Sequence, residues 1–394
     1  MRNKLVISSM GSISPLGSSE EEVRQNLFSP HTFIQKNNRG NWVGGLNKDS
    51  KEKIKQLIKQ NSKFKLLDRS VLLAIYASTQ AWNTRKDLGQ VKNLSAGVNI
   101  GSSRGATDIF EDKHKSYLQH PGELPASHTS PTTTLGAVSS WVGKELNING
   151  PAFSHSVTCS TSLYAIGNAM AWVKAGFSDL FIAGGAEAPL TPFTIDQMKA
   201  LKIYSDLDQE YPSLPLGTKN KNTMVLGEGA ASFVIESQES AIKSGLENWV
   251  NIDGIGFANE KMDSPTSISK DGVALSKSMK IALGQDKSDV EVDLIITHAP
   301  GTKKGDDAEL KAIESVFGNR RPNIISTKWK TGHLLGASSA LAIEQAIHML
   351  KAREYPSLPY PNGIKNEIET VNKIMINSIG FGGNSASIIL SLNN

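Results

Sequence analysis

Three residues of this chain combine the chemistry of a nucleophile with that of two hydrogen-bond donors: Cys159, His298 and His333. Cys159 is the only cysteine among 394 residues and stands in Ser156-Val157-Thr158-Cys159-Ser160-Thr161-Ser162-Leu163, where a short β-branched run gives way to small residues. That composition predicts a strand-to-helix turn, and the free N–H groups of a helix start favour negative charge on a nearby side chain. A thiol there is expected to titrate below its ordinary value. Taken alone, a single cysteine is more often a packed residue than a reactive one. The histidines change that balance. His298 follows the apolar run Leu294 to Ile296, at the carboxyl end of a strand, where open α/β sheets place their sites. His333, in Thr331-Gly332-His333, also follows a strand and opens a helix.

These residues need elements to position them, and the chain supplies short apolar runs alternating with helix-like segments. Strand-like runs are Leu5 to Ser9, Ala96 to Ile100, Phe153 to Val157, Leu180 to Ala183, Ala231 to Ile235, Leu294 to Thr297, Ile324 to Ser326 and Ile374 to Ser378. The alternation predicts an α/β protein. After Cys159, the stripe Leu163, Ile166, Met170 and Val173 amid alanines predicts a helix buried on most sides; after His333, Ile343, Ala346, Ile347 and Leu350 repeat the pattern. Each unit places a reactive residue near a helix start, so two related halves packed together would bring both starts to one centre. The boundary falls in the polar stretch Glu236 to Glu247, dividing the chain into residues 1–240 with the nucleophile and 241–394 with both histidines. Gly380-Phe381-Gly382-Gly383-Asn384 precedes a strand rather than a helix, which excludes a dinucleotide fingerprint and leaves either a plain hairpin turn or backbone amides close to an oxyanion.

Composition narrows the class. Lys+Arg 42 against Asp+Glu 38 gives a net charge of only +4, too slight and dispersed for a nucleic-acid binder. One cysteine excludes an internal disulfide, and no Cys-x-x-Cys or His-Glu-x-x-His supplies a zinc ligand set. Met1 to Lys4 followed by Leu5 to Met10 is too short and interrupted for a signal-peptide core or a membrane span, so a cytoplasmic protein is expected. Lys51 to Lys65 reads as a basic amphipathic helix around Ile54, Leu57 and Ile58, either a solvated lysine face or a dock for an acidic protein.

Together the motifs resemble one family, the elongating β-ketoacyl-acyl carrier protein synthases of the thiolase superfamily. The likeness runs through Met10 to Gly17, Leu67-Asp68-Arg69, Thr158 to Ser162, Gly227-Glu228-Gly229-Ala230, His298 to Asp306, Ser326 to His333 and the terminal Gly-Phe-Gly-Gly. The resemblance implies a thiolase fold of two βαβαβαββ halves in five αβαβα layers, working as a dimer. It implies that Cys159 takes an acyl chain from carrier-protein phosphopantetheine, with no other cofactor. His298 and His333 would stabilise the enolate formed when malonyl-carrier protein loses its carboxylate. The amides of Cys159 and Phe381 would hold the tetrahedral oxyanion, with Phe381 and Gly382 gating the acyl pocket. Lys328 and Glu309 match the family's buried ion pair, with Asp306 beside them or as part of a capped helix start. Thr302 would contact pantetheine, and Lys63, Lys65 and Arg69 would receive the acidic carrier.

Several positions depart from the family pattern. Pro300 stands where a first pantetheine hydroxyl is usual, and Leu214-Pro215-Leu216-Gly217 and Lys221-Asn222-Thr223 replace the common Arg-rich elements. Thr158 replaces a small residue, and Trp329 is bulky for its place. These differences point to a specialised fatty-acid, polyketide or aryl polyene type of pathway. A non-catalytic chain-length-factor-like subunit is the alternative, although such partners lack the nucleophile. An initiating synthase would carry asparagine in place of the second histidine. Homodimer and heterodimer with a related subunit are both compatible with the sequence.

Overall fold

Runs such as Leu180-Phe181-Ile182-Ala183, buried on both faces, form the interior strands of a large sheet. The structure is a computed structural model and describes residues 4–88, 94–217, 221–262, 264, 268–285 and 291–393; Met1 to Asn3 of the N-terminal reading lie outside them. Among the described residues nine strands hydrogen-bond in the order Asn323–Ile325, Leu294–Ile296, Lys373–Gly380, Asn384–Leu392, Val250–Asn259, Leu5–Ile13, Gly229–Ser237, Leu180–Glu187 and Ala96–Gly101. The first five belong to the C-terminal half and the last four to the N-terminal half. They meet at one corner, where Val6 and Ile7 pair antiparallel with Asn251 and Val250.

The helices complete five layers. Arg69–Leu88 and Ala137–Glu145 cover the outer face of the N-terminal strands, and Val273–Gln285 and Lys303–Phe317 cover that of the C-terminal strands. Thr161–Lys174 and Ser338–Ala352 lie between the two sets of strands and pack on each other. The apolar stripes explain that placement: Leu163, Ile166, Met170, Ile343, Ala346, Ile347 and Leu350 share one core with strand residues of both halves. Every residue from Ser338 to Leu350 is buried, so this helix has no solvated face. The thiolase architecture and the α/β class agree with the sequence reading.

Two local expectations are corrected. Phe153 to Val157 is not a strand: Phe153 donates to Val98 O at 3.1 Å, but the Val157 amide is taken by the Thr161 hydroxyl at 2.8 Å instead of a ladder partner. Phe153 is apolar because it packs on Trp172 and Phe181. Conversely, Val250–Asn259 is a full strand, hidden in the sequence by Asn251, Asp253, Gly254 and Gly256. Helix Val273–Gln285 presses on the two glycines so closely that any Cβ there would strike Ala282 or Ser278 backbone. The basic segment is a helix over Lys48–Gln60 followed by a 3₁₀ turn over Ser62–Leu66, with Ile54 buried and Leu57 and Ile58 half-buried. Among the described residues no helix is long and apolar enough to cross a membrane.

The outer layer is tied to the sheet by Arg85, whose Nε donates to Glu236 Oε1 at 2.6 Å with both side chains fully buried. Removing one partner strands the other charge away from water. Glu236→Ala is therefore expected to lower unfolding free energy by about 3–5 kcal/mol. The double substitution Arg85→Met with Glu236→Leu should recover much of that loss, as read by denaturant titration of the two variants.

Candidate active site

Cys159 sits two residues before the inner helix Thr161–Lys174, on a turn that the backbone has to be forced into. Thr158 has φ +48°, the left-handed region that a β-branched residue rarely adopts. Hydrogen bonds hold it there: Ser160 N to Val157 O at 3.1 Å, Thr161 N to Thr158 O at 3.3 Å, and Thr158 Oγ1 to Phe381 O at 3.3 Å. The last of these joins the nucleophile turn to the Gly380 to Asn384 hairpin. Ser378 adds a bond from its hydroxyl to Cys159 O at 3.1 Å. A Cβ at Gly380 would overlap Thr158 Oγ1 and Val157 O, which is why glycine is needed there.

Both histidines reach the same point. His333 Nε2 lies 3.2 Å from Cys159 Sγ, and the His298 and His333 rings meet edge to face with centroids 5.1 Å apart. One ligand-capable atom from each of the three residues falls within 4.8 Å of the others. The His333 backbone is clamped by its amide to Val225 O at 2.6 Å and by Gly227 N to its carbonyl at 3.0 Å. Its ring is oriented by Ser338, whose Oγ is 2.8 Å from Nδ1. Neither Ser338 nor Val225 was singled out in the sequence; Ser338, five residues on and at the start of the helix, carried the only legible signal.

His298 is held through its own main chain. Glu309 Oε1 accepts from the His298 amide at 2.9 Å and Oε2 from the Ala299 amide at 2.7 Å, while Asn377 Nδ2 donates to Oε1 at 3.2 Å. Asp306 does the same for the next turn, accepting from Gly301 and Thr302 amides at 3.2 and 3.1 Å and from Leu216 N at 2.9 Å. This corrects the expected ion pair. Lys328 forms no salt bridge with Glu309; its Nζ is 3.4 Å from Thr297 O, and the glutamate is spent on backbone amides. Thr302 is the N-cap residue of helix Lys303–Phe317 and makes no side-chain cap bond, and Pro300 lies buried in the turn before it.

Burial governs the charges. The Cys159 thiol is pushed up to about 12, first by desolvation, then by the Glu187 carboxylate, with the Lys328 ammonium and its own amide opposing. The expectation of an acidic thiol is thus overturned, because the helix start cannot offset removal from water. Burial also lowers both histidines well below their ordinary value, with Lys328 adding to the effect, so both rings are neutral. Lys328 itself is lowered to about 8 by burial against the pull of Glu309. Glu187, at the end of Leu180–Glu187, is raised to about 7 by burial although Oε1 accepts from Ser102 Oγ at 2.8 Å and from the Ser103 and Arg104 amides. It was not read from the sequence, yet it stands at the carboxyl end of a strand, where such groups are expected.

The remaining predicted residues are dispersed. Phe381 is 41% exposed at the hairpin tip beside Gly382, whose φ is +84°. Lys63 and Lys65 are exposed on the 3₁₀ turn. Arg69 is not available as a dock, because its guanidinium binds Glu228 with Nε to Oε2 at 2.5 Å and Nη2 to Oε1 at 2.8 Å. Trp329 is accommodated at 1% exposure by an edge contact with Tyr211 and by the Lys330 ammonium 4.2 Å from its ring centroid.

Comparison with known proteins identifies the lineage. Residues 2–241 match the beta-ketoacyl synthase N-terminal domain and residues 250–359 the beta-ketoacyl synthase C-terminal domain. This chain belongs to the beta-ketoacyl synthase family. Similar proteins include the 3-oxoacyl-[acyl-carrier-protein] synthase 2 of Staphylococcus aureus strain COL, 28% identical over 410 residues and covering 98% of this chain and 97% of the relative. The Coxiella burnetii protein of the same name is 27% identical over 412 residues, 99% of each chain. Among solved structures, the fold is shared with AntDE:AntF, a type II PKS acyl-carrier protein in complex with its ketosynthase, at TM-score 0.86 and 20% identity over 99% of this chain and 100% of that one. It is shared also with the ketosynthase ApeO in complex with its chain length factor ApeC from Xenorhabdus doucetiae, at TM-score 0.80 and 23% identity over 99% and 98%.

With one cysteine, thiol chemistry in this synthase reports on a single site. Iodoacetamide alkylation of Cys159, followed by intact mass, is expected to keep rising about tenfold per pH unit through pH 10, beyond the level near 8.5 at which an ordinary thiol saturates. Glu187→Gln should speed alkylation at fixed pH and Lys328→Ala should slow it, since they remove opposite charges from beside the sulfur.

Proposed function

We propose that the protein catalyses decarboxylative Claisen condensation of an acyl group on Cys159 with malonyl-acyl carrier protein, releasing a 3-oxoacyl-acyl carrier protein. The observation that carries the reading is the 3.2 Å approach of His333 Nε2 to Cys159 Sγ with His298 against the same ring, all three buried. In the first step Sγ attacks the acyl-carrier thioester, the C–S bond to pantetheine breaks, and the thiol proton leaves with the departing pantetheine thiol. A Ser338 hydroxyl donating to His333 Nδ1 sets the tautomer that presents N–H at Nε2.

The neutral charge state suits the second step. Two N–H donors accept the growing charge on the malonyl thioester oxygen as the bond to the carboxylate breaks and carbon dioxide departs. The electron pair then forms the new C–C bond to the acyl carbonyl, and collapse of the tetrahedral oxyanion, held by the amides of Cys159 and Phe381, breaks the C–S bond and expels the Cys159 thiolate, which takes up a proton from solvent to restore the thiol. Phosphopantetheine arrives with the carrier, and no free cofactor enters these steps. Thr302 lines the approach for the pantetheine arm, and Lys328, Glu309 and Asp306 act as positioning residues for the His298 turn.

The relatives named 3-oxoacyl-[acyl-carrier-protein] synthase 2 support condensation on carrier-bound chains, and the ketosynthases solved with a chain length factor support a dimer with a second copy or a related subunit; a fatty-acid or polyketide pathway in the cytoplasm completes the proposal. Retention of Cys159 and both histidines argues against a chain-length-factor role for this chain. Residues 1–240 and 241–394 are its two functional halves.

The two chemical steps separate by mutation. Cys159→Ala is expected to abolish the acyl adduct seen by intact mass while still decarboxylating malonyl carrier. His298→Ala or His333→Ala should keep the adduct and slow carbon dioxide release by about 10²–10³-fold, the cost of one oxyanion donor. Docking is tested apart from chemistry: Lys63→Glu with Lys65→Glu should weaken carrier binding several-fold at low salt and little at high salt, as measured by fluorescence titration.

A further inference from the structure

The helix Pro192–Ala200 has two faces with different business. Ile195 and Met198 belong to the apolar cluster that encloses Cys159, together with Leu335 and Leu226. Phe193, on the same helix, lines a groove of about 800 Å³ with Arg104, Phe110, His114, Leu118 and Thr133. Gln197 reaches from the helix to the groove's one arginine, its Oε1 accepting from Arg104 Nη2 at 2.8 Å. The groove is therefore one helix away from the nucleophile. The loop that carries Arg104 is pinned to the site as well: Glu187 takes the Ser103 and Arg104 amides, and Ser156 Oγ donates to Ser103 O at 3.1 Å.

Arg104 is unusual among the groove's residues. Its Nε is buried and has no acceptor, and among the described residues no carboxylate forms an ion pair with it. Phe110, Leu118 and Phe193, all more than half exposed, give the groove apolar walls, while Lys115 and Glu111 also line it, the glutamate accepting from Thr191 Oγ1 at 2.8 Å. A guanidinium with a spare donor in such a setting is satisfied by an acceptor brought in by the ligand, and a saturated alkyl end would leave that donor unmet. We infer that Arg104 selects acyl groups bearing an oxygen at their far end, a hydroxyl, carbonyl or carboxylate, with the carbon chain lying along Phe193 and Phe110. This rests on the condensing reading above and adds the class of acyl group to it.

The test uses the full chain and the single cysteine. Octanoyl, 8-hydroxyoctanoyl and 7-carboxyheptanoyl groups, equal in chain length, are offered on acyl carrier protein, and the rate of Cys159 adduct formation is followed by intact mass. At least one oxygenated donor should acylate the wild type on the order of 30-fold faster than octanoyl, the discrimination expected when a charged donor goes unmatched. Arg104→Leu should bring the rates within about threefold, by slowing the oxygenated donor and speeding octanoyl, and Arg104→Lys should fall between. Octanoyl as fast as both oxygenated donors on wild type would overturn the inference while leaving the condensing reaction standing, whether or not the variants fold. Equal discrimination by wild type and a folded Arg104→Leu would overturn it too. No adduct from any donor would sink the condensing reading first, and this one with it.

Discussion

Removal of water from one point between two helices decides how this protein works. Cys159, His298 and His333 converge on one point, with His333 Nε2 3.2 Å from the sulfur, and burial holds all three neutral at rest. A resting thiolate beside an imidazolium would be a different catalyst, reactive to many electrophiles and poor at donating to an enolate from two sides. Here the sulfur gives up its proton only as the acyl bond forms, and the histidines keep their N–H groups for the oxygen that becomes charged. Lys328 supports both states without joining either: its ammonium favours the thiolate and disfavours imidazolium, from a position outside hydrogen-bond contact with Cys159, His298 or His333.

Keeping such a centre dry requires that its supports be satisfied from within. Glu309 and Asp306 turn their oxygens to the backbone amides of His298, Ala299, Gly301, Thr302 and Leu216, so the loop carrying His298 is fastened by buried carboxylates that grip its main chain. Their burial raises both carboxyls, Asp306 to about 7, which is the electrostatic cost of placing them there. On the His333 side the fastening is a bridge to Val225 to Gly227, next to the glycine-bearing strand Gly229–Ser237. The halves thus contribute different kinds of clamp to one geometry.

Much of this was legible in the residues. The apolar stripes after Cys159 and His333 announced the two inner helices, because a helix with apolar residues on most of its sides is buried between layers. Three reactive side chains at strand-to-helix turns pointed to one site, and the glycine hairpin pointed to its rim. The charge relations were not legible. A lysine five residues before a histidine suggests an ion pair, but only the fold reveals that the nearest carboxylate is already committed to amides, or that Arg69 has been taken by Glu228. Likewise Val250–Asn259 was masked because its glycines answer to a helix packed on it and not to strand propensity.

The first strand of the chain has a place in the fold that bears on how the protein is made. Leu5–Ile13 lies in the middle of the sheet, paired along its length with Gly229–Ser237 and at its start with Val250 and Asn251. On a ribosome it must wait for some 230 further residues before its neighbours exist. The nucleophile turn is similarly incomplete until Thr158 meets the carbonyl of Phe381, close to the end of the chain. A nascent or truncated polypeptide therefore carries Cys159 without the enclosure that tames it. Arrival of the Phe381 hairpin, rather than synthesis of the cysteine, is the moment at which the thiol's enclosure is completed.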